Sequence, residues 1–321
     1  MNTDTNQFNA EAQRTLSFAG RIKISALLRV CLQFGNPCPS VVKIFMNALN
    51  LVILSRKELR DALRNRWFLI YSAACAILAV SVSWLSLAGA DQYGFAGFNQ
   101  TAAGLVNLIM LIVPLMALQT GAGSVAGERE RGTLAQLLSM SVTRIEVLTG
   151  KFIGLSLALV TALALGFGLS GVIISLNGGT AGMSTYLTMV GLAALLTLAM
   201  LSVGLMVSVL SRKSSAAVGI AIVVWLALAF AGDLGLMGSA IVFRLHLWSL
   251  FTLALANPLE VFKMATLTGT HASLSALGPV GHYAVETYGH GIWGIFAGTL
   301  TAWIILPFTL AWWFLKKSEV P

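Results

Sequence analysis

The chain has 321 residues, of which 57% are apolar and only 10% charged, and it carries a formal net charge of +8. Soluble domains hold about 25% charged residues, so this composition excludes an ordinary soluble globule and places the chain in a membrane. The positive balance does not indicate nucleic acid, because the Lys and Arg residues cluster at the ends of apolar runs instead of along one soluble face.

Residues 1–45 are polar, with five basic residues against two acidic ones. The apolar patch Ile24 to Phe34 is interrupted by Arg29 and lacks a small-residue cleavage site, which argues against a cleaved signal peptide. This stretch reads as a disordered or spurious extension, with Met46 an alternative start. From Ala48 to Arg66 the period changes to that of an amphipathic helix. Leu49, Val52, Ile53, Leu59 and Leu63 form one stripe, while Lys57, Asp61 and Arg64 lie on the other face. Such a helix lies in the headgroup plane and turns into a span at Trp67.

A bilayer core takes about 20 apolar residues of helix. Six segments qualify: 67–89, 103–126, 148–176, 186–210, 215–236 and 292–315. Basic residues mark alternate connections. Arg56, Lys57, Arg60, Arg64 and Arg66 precede the first span, Arg129, Arg131 and Arg144 follow the second, with Lys151 just inside the third, and Arg212 and Lys213 follow the fourth. Lys316 and Lys317 close the chain, whereas the loops Ala90–Ala102 and Asn177–Thr185 contain no Lys or Arg. This alternation places both termini in the cytoplasm. The expected fold is therefore all-α and polytopic.

The second loop is the most informative feature. Glu128, Arg129, Glu130 and Arg131 cannot remain in hydrocarbon, where each would cost roughly 2.5–3.5 kcal/mol at a helix centre. After them Gly132 and Thr133 open a short helix with an apolar stripe at Leu134, Leu137 and Leu138. Thr143-Arg144-Ile145-Glu146 is a capping box that restarts the chain as a span. An ordinary turn needs only a few residues, so a short surface helix seeking a partner is the better reading.

Past the fifth span, Ser239–Ala256 is apolar but contains Arg244 and His246, which suits the outer interface better than a crossing. Asn257-Pro258-Leu259-Glu260 reads as a helix start, with Asn as cap, Pro in the first turn and Glu reaching back. The outer loop, residues 237–291, is thus partly helical, and Asn257, Pro258 and Glu260 are its candidates for contact with a periplasmic partner. All four histidines (His246, His271, His282 and His290) fall there, but at separations that fit no ligand pattern, so no metal site is assigned. Asp233 lies near the outer end of the fifth span, where it reads as an interface-level acid. Cys31, Cys38 and Cys75 match no metal or redox spacing. No catalytic residue is expected, because no Ser, His and Asp grouping and no phosphate-binding loop occurs. Gly121, Ala122 and Gly123 read as small residues that allow close helix packing.

With RKELRDALRNRW, GERERGTLAQLLSMSVTR and the following Gly150-Lys151 in place, the sequence from 46 to 317 resembles permease subunits of the ABC-2 type. Within that family the stretches Lys213 to Ala217, Trp225, Asp233 and Asn257 to Glu260 look most like permeases that serve nitrous oxide reductase maturation. The resemblance implies that the helix carrying Arg56, Lys57, Glu58, Arg60 and Arg64 is an elbow helix. It implies likewise that Glu128, Arg129, Glu130, Arg131, Thr133, Leu134, Leu137 and Leu138 belong to a coupling helix that docks into a separate cytoplasmic ABC ATPase. ATP and magnesium would then be held by the partner, with no cofactor on this chain. A second copy of the chain, a periplasmic accessory protein and the lipid bilayer complete the expected partners, with an inner-membrane location and a role in copper-site assembly. Export of a lipid, drug or other small hydrophobic substrate remains an alternative role. A secondary transporter would show internal repeats and buried ionisable groups, and a scaffold would leave the second-loop helix without a purpose.

Overall fold

The computed structural model describes residues 39–88, 95–134, 142–178, 183–242, 246–269, 284 and 287–317. The chain divides into two units, Met1–Asn50 and Leu51–Pro321, and the second holds the helical bundle. Among the described residues all regular structure is helical: α1 (Pro39–Arg64), α2 (Arg66–Ala88), α3 (Phe95–Glu130), α4 (Arg144–Gly178), α5 (Met183–Leu210), α6 (Ser214–Val242), α7 (Leu247–Leu255), α8 (Pro258–Gly269) and α9 (Ile292–Lys317). Helices follow from the physics of the solvent. A chain this apolar has no water to satisfy its peptide groups, and a helix satisfies them internally.

Each of the six expected spans falls on one helix, in order α2, α3, α4, α5, α6 and α9. Four stretches are long and apolar enough to cross a membrane alone: Gly104–Glu130, Arg144–Ile173, Met183–Leu210 and Ile292–Lys317. The number rises to six if each of two bent pairs counts as one span. Asn50–Arg64 meets Phe68–Ser81 at 68°, and Leu247–Leu255 meets Pro258–Gly269 at 111°. Within α6 the apolar run is the shorter Ser214–Phe230. Pro114 and Pro307 sit inside α3 and α9, as membrane helices tolerate.

At the centre stands α5, in which every residue from Ala199 to Leu205 is buried. It packs most extensively on α3, then on α9, while α2 pairs with α4 and α6 leans on α3. The α3–α5 contact is a small-residue crossing. A Cβ at Gly121 would come within 2.8 Å of the Leu201 carbonyl oxygen, and one at Gly204 within 2.6 Å of that of Leu118. Without side chains at these two positions the backbones touch, which is how helices associate where lipid supplies no hydrophobic drive. Beside the crossing, the amides of Val125 and Ala126 both donate to Ser208 Oγ, at 2.9 and 2.8 Å.

Side-chain ties gather one end of the bundle. Arg129 Nη1 donates to the carbonyls of Val209 and Ser211, both at 2.9 Å, joining the ends of α3 and α5. The Ser214 amide donates to Glu130 Oε2 at 3.0 Å, which fixes the start of α6. Arg144 Nη1 donates to the Leu315 carbonyl at 2.6 Å, so α4 begins where α9 ends.

The outer region departs from expectation. Instead of a segment at the interface, α7 and α8 form a bent pair that enters the bundle and returns. Asn257 Nδ2, at the bend, donates to the Leu228 carbonyl at 2.6 Å, and Leu228 lies 14 residues from either end of α6. At 1.5 Å per residue the bend therefore reaches roughly 20 Å below the far end of α6. Both arms return to that far end: Phe251 stacks on Tyr288 just before α9, and Trp293 lies against Gly269. Val261, Phe262 and Ala265 are fully buried, so α8 is part of the core. Arg244 is outside the described residues. The pair buries Leu250, Phe251 and Ala254 and leaves Leu247, Trp248 and Leu253 outward. That apolar packing is what the interface reading underweighted.

Candidate functional site

The charged second loop and the first amphipathic helix, far apart in sequence, meet at one place. Their meeting begins with glycine. A Cβ at Gly150 would stand 2.7 Å from Leu54 Cδ2, and one at Gly154 would stand 2.5 Å from the Ser55 carbonyl oxygen and 2.6 Å from Glu58 Cβ. These glycines are one helical turn apart on α4, so they form a flat strip on which α1 lies. The face of α1 turned to this strip is Leu54, Ser55, Glu58 and Ala62, all buried. It differs from the expected apolar stripe, which is split: Val52 is 61% and Leu63 43% exposed, whereas Leu59 packs against the core.

Between the two glycines projects Lys151, 1% exposed. Its Nζ donates to Glu58 Oε1 on α1 at 2.8 Å and lies 2.8 Å from Glu128 Oε1 on α3. Lys57 Nζ approaches the same cluster from the rim, 3.4 Å from Glu128 Oε1 and 3.8 Å from Glu58 Oε1. Two ammonium groups and two carboxylates balance within the quartet, which offsets part of the desolvation cost of burying them. Glu128 Oε2 has no hydrogen-bond partner among the described residues. The sequence offered one signal for this quartet: a lysine inside an apolar span, for which a nearby acid is the default partner.

The other charges of the second loop are also engaged. Arg129 and Glu130 hold α5 and α6 as described above, and Arg131 Nε donates to the Gly127 carbonyl of its own helix at 3.0 Å. Gly132, with φ +71°, ends α3 in the left-handed conformation that only glycine adopts without strain. Thr133 Oγ1 then donates to the Glu128 carbonyl at 3.2 Å, and Leu134 is 1% exposed. Most of the expected surface helix, Leu137 and Leu138 included, falls on residues 135–141, outside the described residues. The start of α4 beyond it is well built. The Thr143 amide donates to Glu146 Oε2 at 2.8 Å and the Glu146 amide to Thr143 Oγ1 at 3.4 Å, a reciprocal capping box as expected.

Of the residues assigned to the elbow, Arg56, Arg60 and Arg64 are exposed, Lys57 is half-buried and Glu58 is buried. The residues assigned to a periplasmic contact are placed inside the chain. Asn257 Oδ1 accepts from the Leu259 amide at 3.0 Å, capping α8, and Asn257, Pro258 and Glu260 are all buried. Glu260 Oε1 lies 3.8 Å from Lys263 Nζ. A Cβ at Gly232 of α6 would stand 2.6 Å from Glu260 Oε1, so the polar bend is moulded to that glycine. His246 is exposed at the start of α7, His290 lies in a 3-10 turn before α9, and His271 and His282 are outside the described residues. Among the described residues no three His, Cys, Asp or Glu side chains group closely enough to hold a metal ion.

Comparison with known proteins agrees with this architecture. The model of the ABC-2 family transporter protein family matches residues 52–320. A probable ABC transporter permease protein NosY of Stutzerimonas stutzeri is 34% identical over 232 residues, covering 70% of this chain and 84% of that protein. A probable permease of the same name from Pseudomonas aeruginosa is 33% identical over 226 residues, covering 68% and 82%.

Proposed function

The chain belongs to the ABC-2 transporter family as a multi-pass permease of the inner membrane, and from that premise we propose that it receives ATP-driven motion from a separate cytoplasmic ATPase. The end of the bundle that carries Arg129, Arg131, Arg144, Lys316 and Lys317 faces the cytoplasm, by the usual bias of basic residues. Two copies pair there, and the helix that begins at Thr133 sits in a groove of each ATPase. Leu137 and Leu138 supply its apolar contact, whereas Leu134, buried in the core of this chain, ties the start of the helix to the bundle. Because Glu128, Arg129 and Glu130 are already engaged within the chain, their part is to hold the docking helix at a fixed angle.

One observation carries this reading. The segment between Gly127 and Glu146 is anchored at both ends, by ties to α5 and α6 on one side and by the reciprocal cap of α4 on the other. A segment anchored so transmits displacement to the helices instead of absorbing it.

The likeness to proteins named NosY extends the proposal to copper-site maturation of nitrous oxide reductase, with copper as cargo of the wider system. ATP-driven motion of this chain would then be handed to a periplasmic accessory protein on the far side. Co-purification tests the coupling. Tagged wild-type chain should recover an ABC ATPase subunit, and Leu137→Asp should abolish the recovery. Failure of the wild type to recover one, or equal recovery by the variant, refutes it.

A further inference from the structure

The quartet joins three elements that the chain keeps apart: α1 through Glu58 and Lys57, the end of α3 through Glu128, and the start of α4 through Lys151. We infer that Lys151 is a positioning residue that clamps α1 to the two helices flanking the second loop, so that a push on that loop carries α1 with it. The source of the push rests on the coupling reading above; the clamp does not.

Three features make the joint stiff. A single ammonium bridges two carboxylates at 2.8 Å each, so neither acid can move without breaking a charge-assisted contact inside the protein. Gly150 and Gly154 leave no gap between α4 and α1: the first packs on the Leu54 side chain and the second on the Ser55 backbone. The two ammonium groups also balance the two carboxylates, which offsets part of the cost of burying them, with Asp61 within electrostatic range of all four. The two branches from the last turn of α3 are distinct: Arg129 and Glu130 lead to α5 and α6, whereas Glu128 leads to α1, through the buried Lys151 and by the longer rim contact with Lys57.

The test uses the full-length chain in lipid nanodiscs, as Lys151→Met and as the triple variant Glu58→Gln, Glu128→Gln, Lys151→Met, which removes the three buried charges and keeps the half-exposed Lys57. The triple variant serves if the single one does not fold, because it leaves no unpaired buried charge. Amide exchange across 51–64 should rise about tenfold in the variant while the amides of α5 stay protected, since local opening reports the stability of its own unit. Unchanged exchange across 51–64 in a folded variant overturns the clamp. In the complex with its ATPase, the variant should lower kcat for ATP about fivefold at unchanged KM and unchanged recovery of the ATPase. Wild-type kcat in a variant with a loosened α1 overturns the transmission of the push. If wild-type chain recovers no ATPase, the coupling reading fails, and the exchange measurement still decides the clamp.

Discussion

Lys151 Nζ lies 2.8 Å from Glu58 Oε1 across 93 residues of chain, with the lysine side chain 1% exposed. A buried ion pair adds little over a well-packed apolar pair, but removing Lys151 leaves two buried carboxylates with only the longer contacts of the rim Lys57 to balance them. Lys151→Met should therefore cost about 3–5 kcal/mol. Lys57, 39% exposed on its side chain, is screened by solvent, and Lys57→Ala should cost under about 1 kcal/mol. Thermal unfolding of the detergent-solubilised chain compares the two. Equal shifts for the two variants would mean that burial does not govern the cluster.

The α3–α5 crossing yields a second contrast. A methyl group at Gly204 would strike the backbone of Leu118, which cannot move aside as a side chain could. Gly204→Ala should thus destabilise by about 1–3 kcal/mol, the usual range for overpacking. Gly123 lies on the same helix as Gly121, yet nothing stands within 4 Å of its Cβ position. Gly123→Ala should be neutral or slightly stabilising, because alanine favours helix by about 1 kcal/mol. Unfolding midpoints in the same detergent separate these outcomes.

What the sequence revealed and what it hid follow one physical rule. Apolar run length and local capping are written in consecutive residues, so the helices over the expected spans and the Thr143–Glu146 box were both legible. The closeness of packing at Gly121 was legible as well, but its partner Gly204 was not, because partnership is a matter of tertiary register. The α1 helix shows the limit most clearly. Its expected stripe is split by the structure, with Val52 and Leu63 exposed and Leu59 against the core, and the side that meets the glycines is Leu54, Ser55, Glu58 and Ala62. For the α7–α8 pair, a polar bend inside the bundle is offset by contacts to Leu228 and Gly232 that no local pattern records.

The reciprocal cap at the start of α4 should matter more for geometry than for stability. Thr143→Ala removes one of its two hydrogen bonds and should cost about 1 kcal/mol, as cap substitutions do. Because α4 would then fray toward the docking segment, recovery of the ATPase should fall although the fold persists. Thr143→Ser keeps the hydroxyl and should behave as wild type. Circular dichroism of each variant, run beside the co-purification, distinguishes a frayed boundary from a lost fold.

The bend between α7 and α8 is held by Gly232 and Asn257 together, and each can be tested alone. Gly232→Ala introduces a methyl group 2.6 Å from Glu260 Oε1 and 2.8 Å from Asn257 Nδ2. Carboxylate and amide must shift, and the 2.6 Å bond from Asn257 to the Leu228 carbonyl is then strained or lost. Asn257→Leu removes that donor and the cap on the Leu259 amide at once. The Leu228 carbonyl keeps its partner within α6, so the lost hydrogen bond costs about 0.5–1.5 kcal/mol and the lost cap about 1 more. Both variants should loosen α8 in amide exchange across 258–269, while α1 and the quartet at the other end remain protected. Gly235→Ala, on the same helix with nothing near its Cβ position, is the control and should leave α8 unchanged. If the control loosens α8 as much as Gly232→Ala, the bend is not moulded to Gly232.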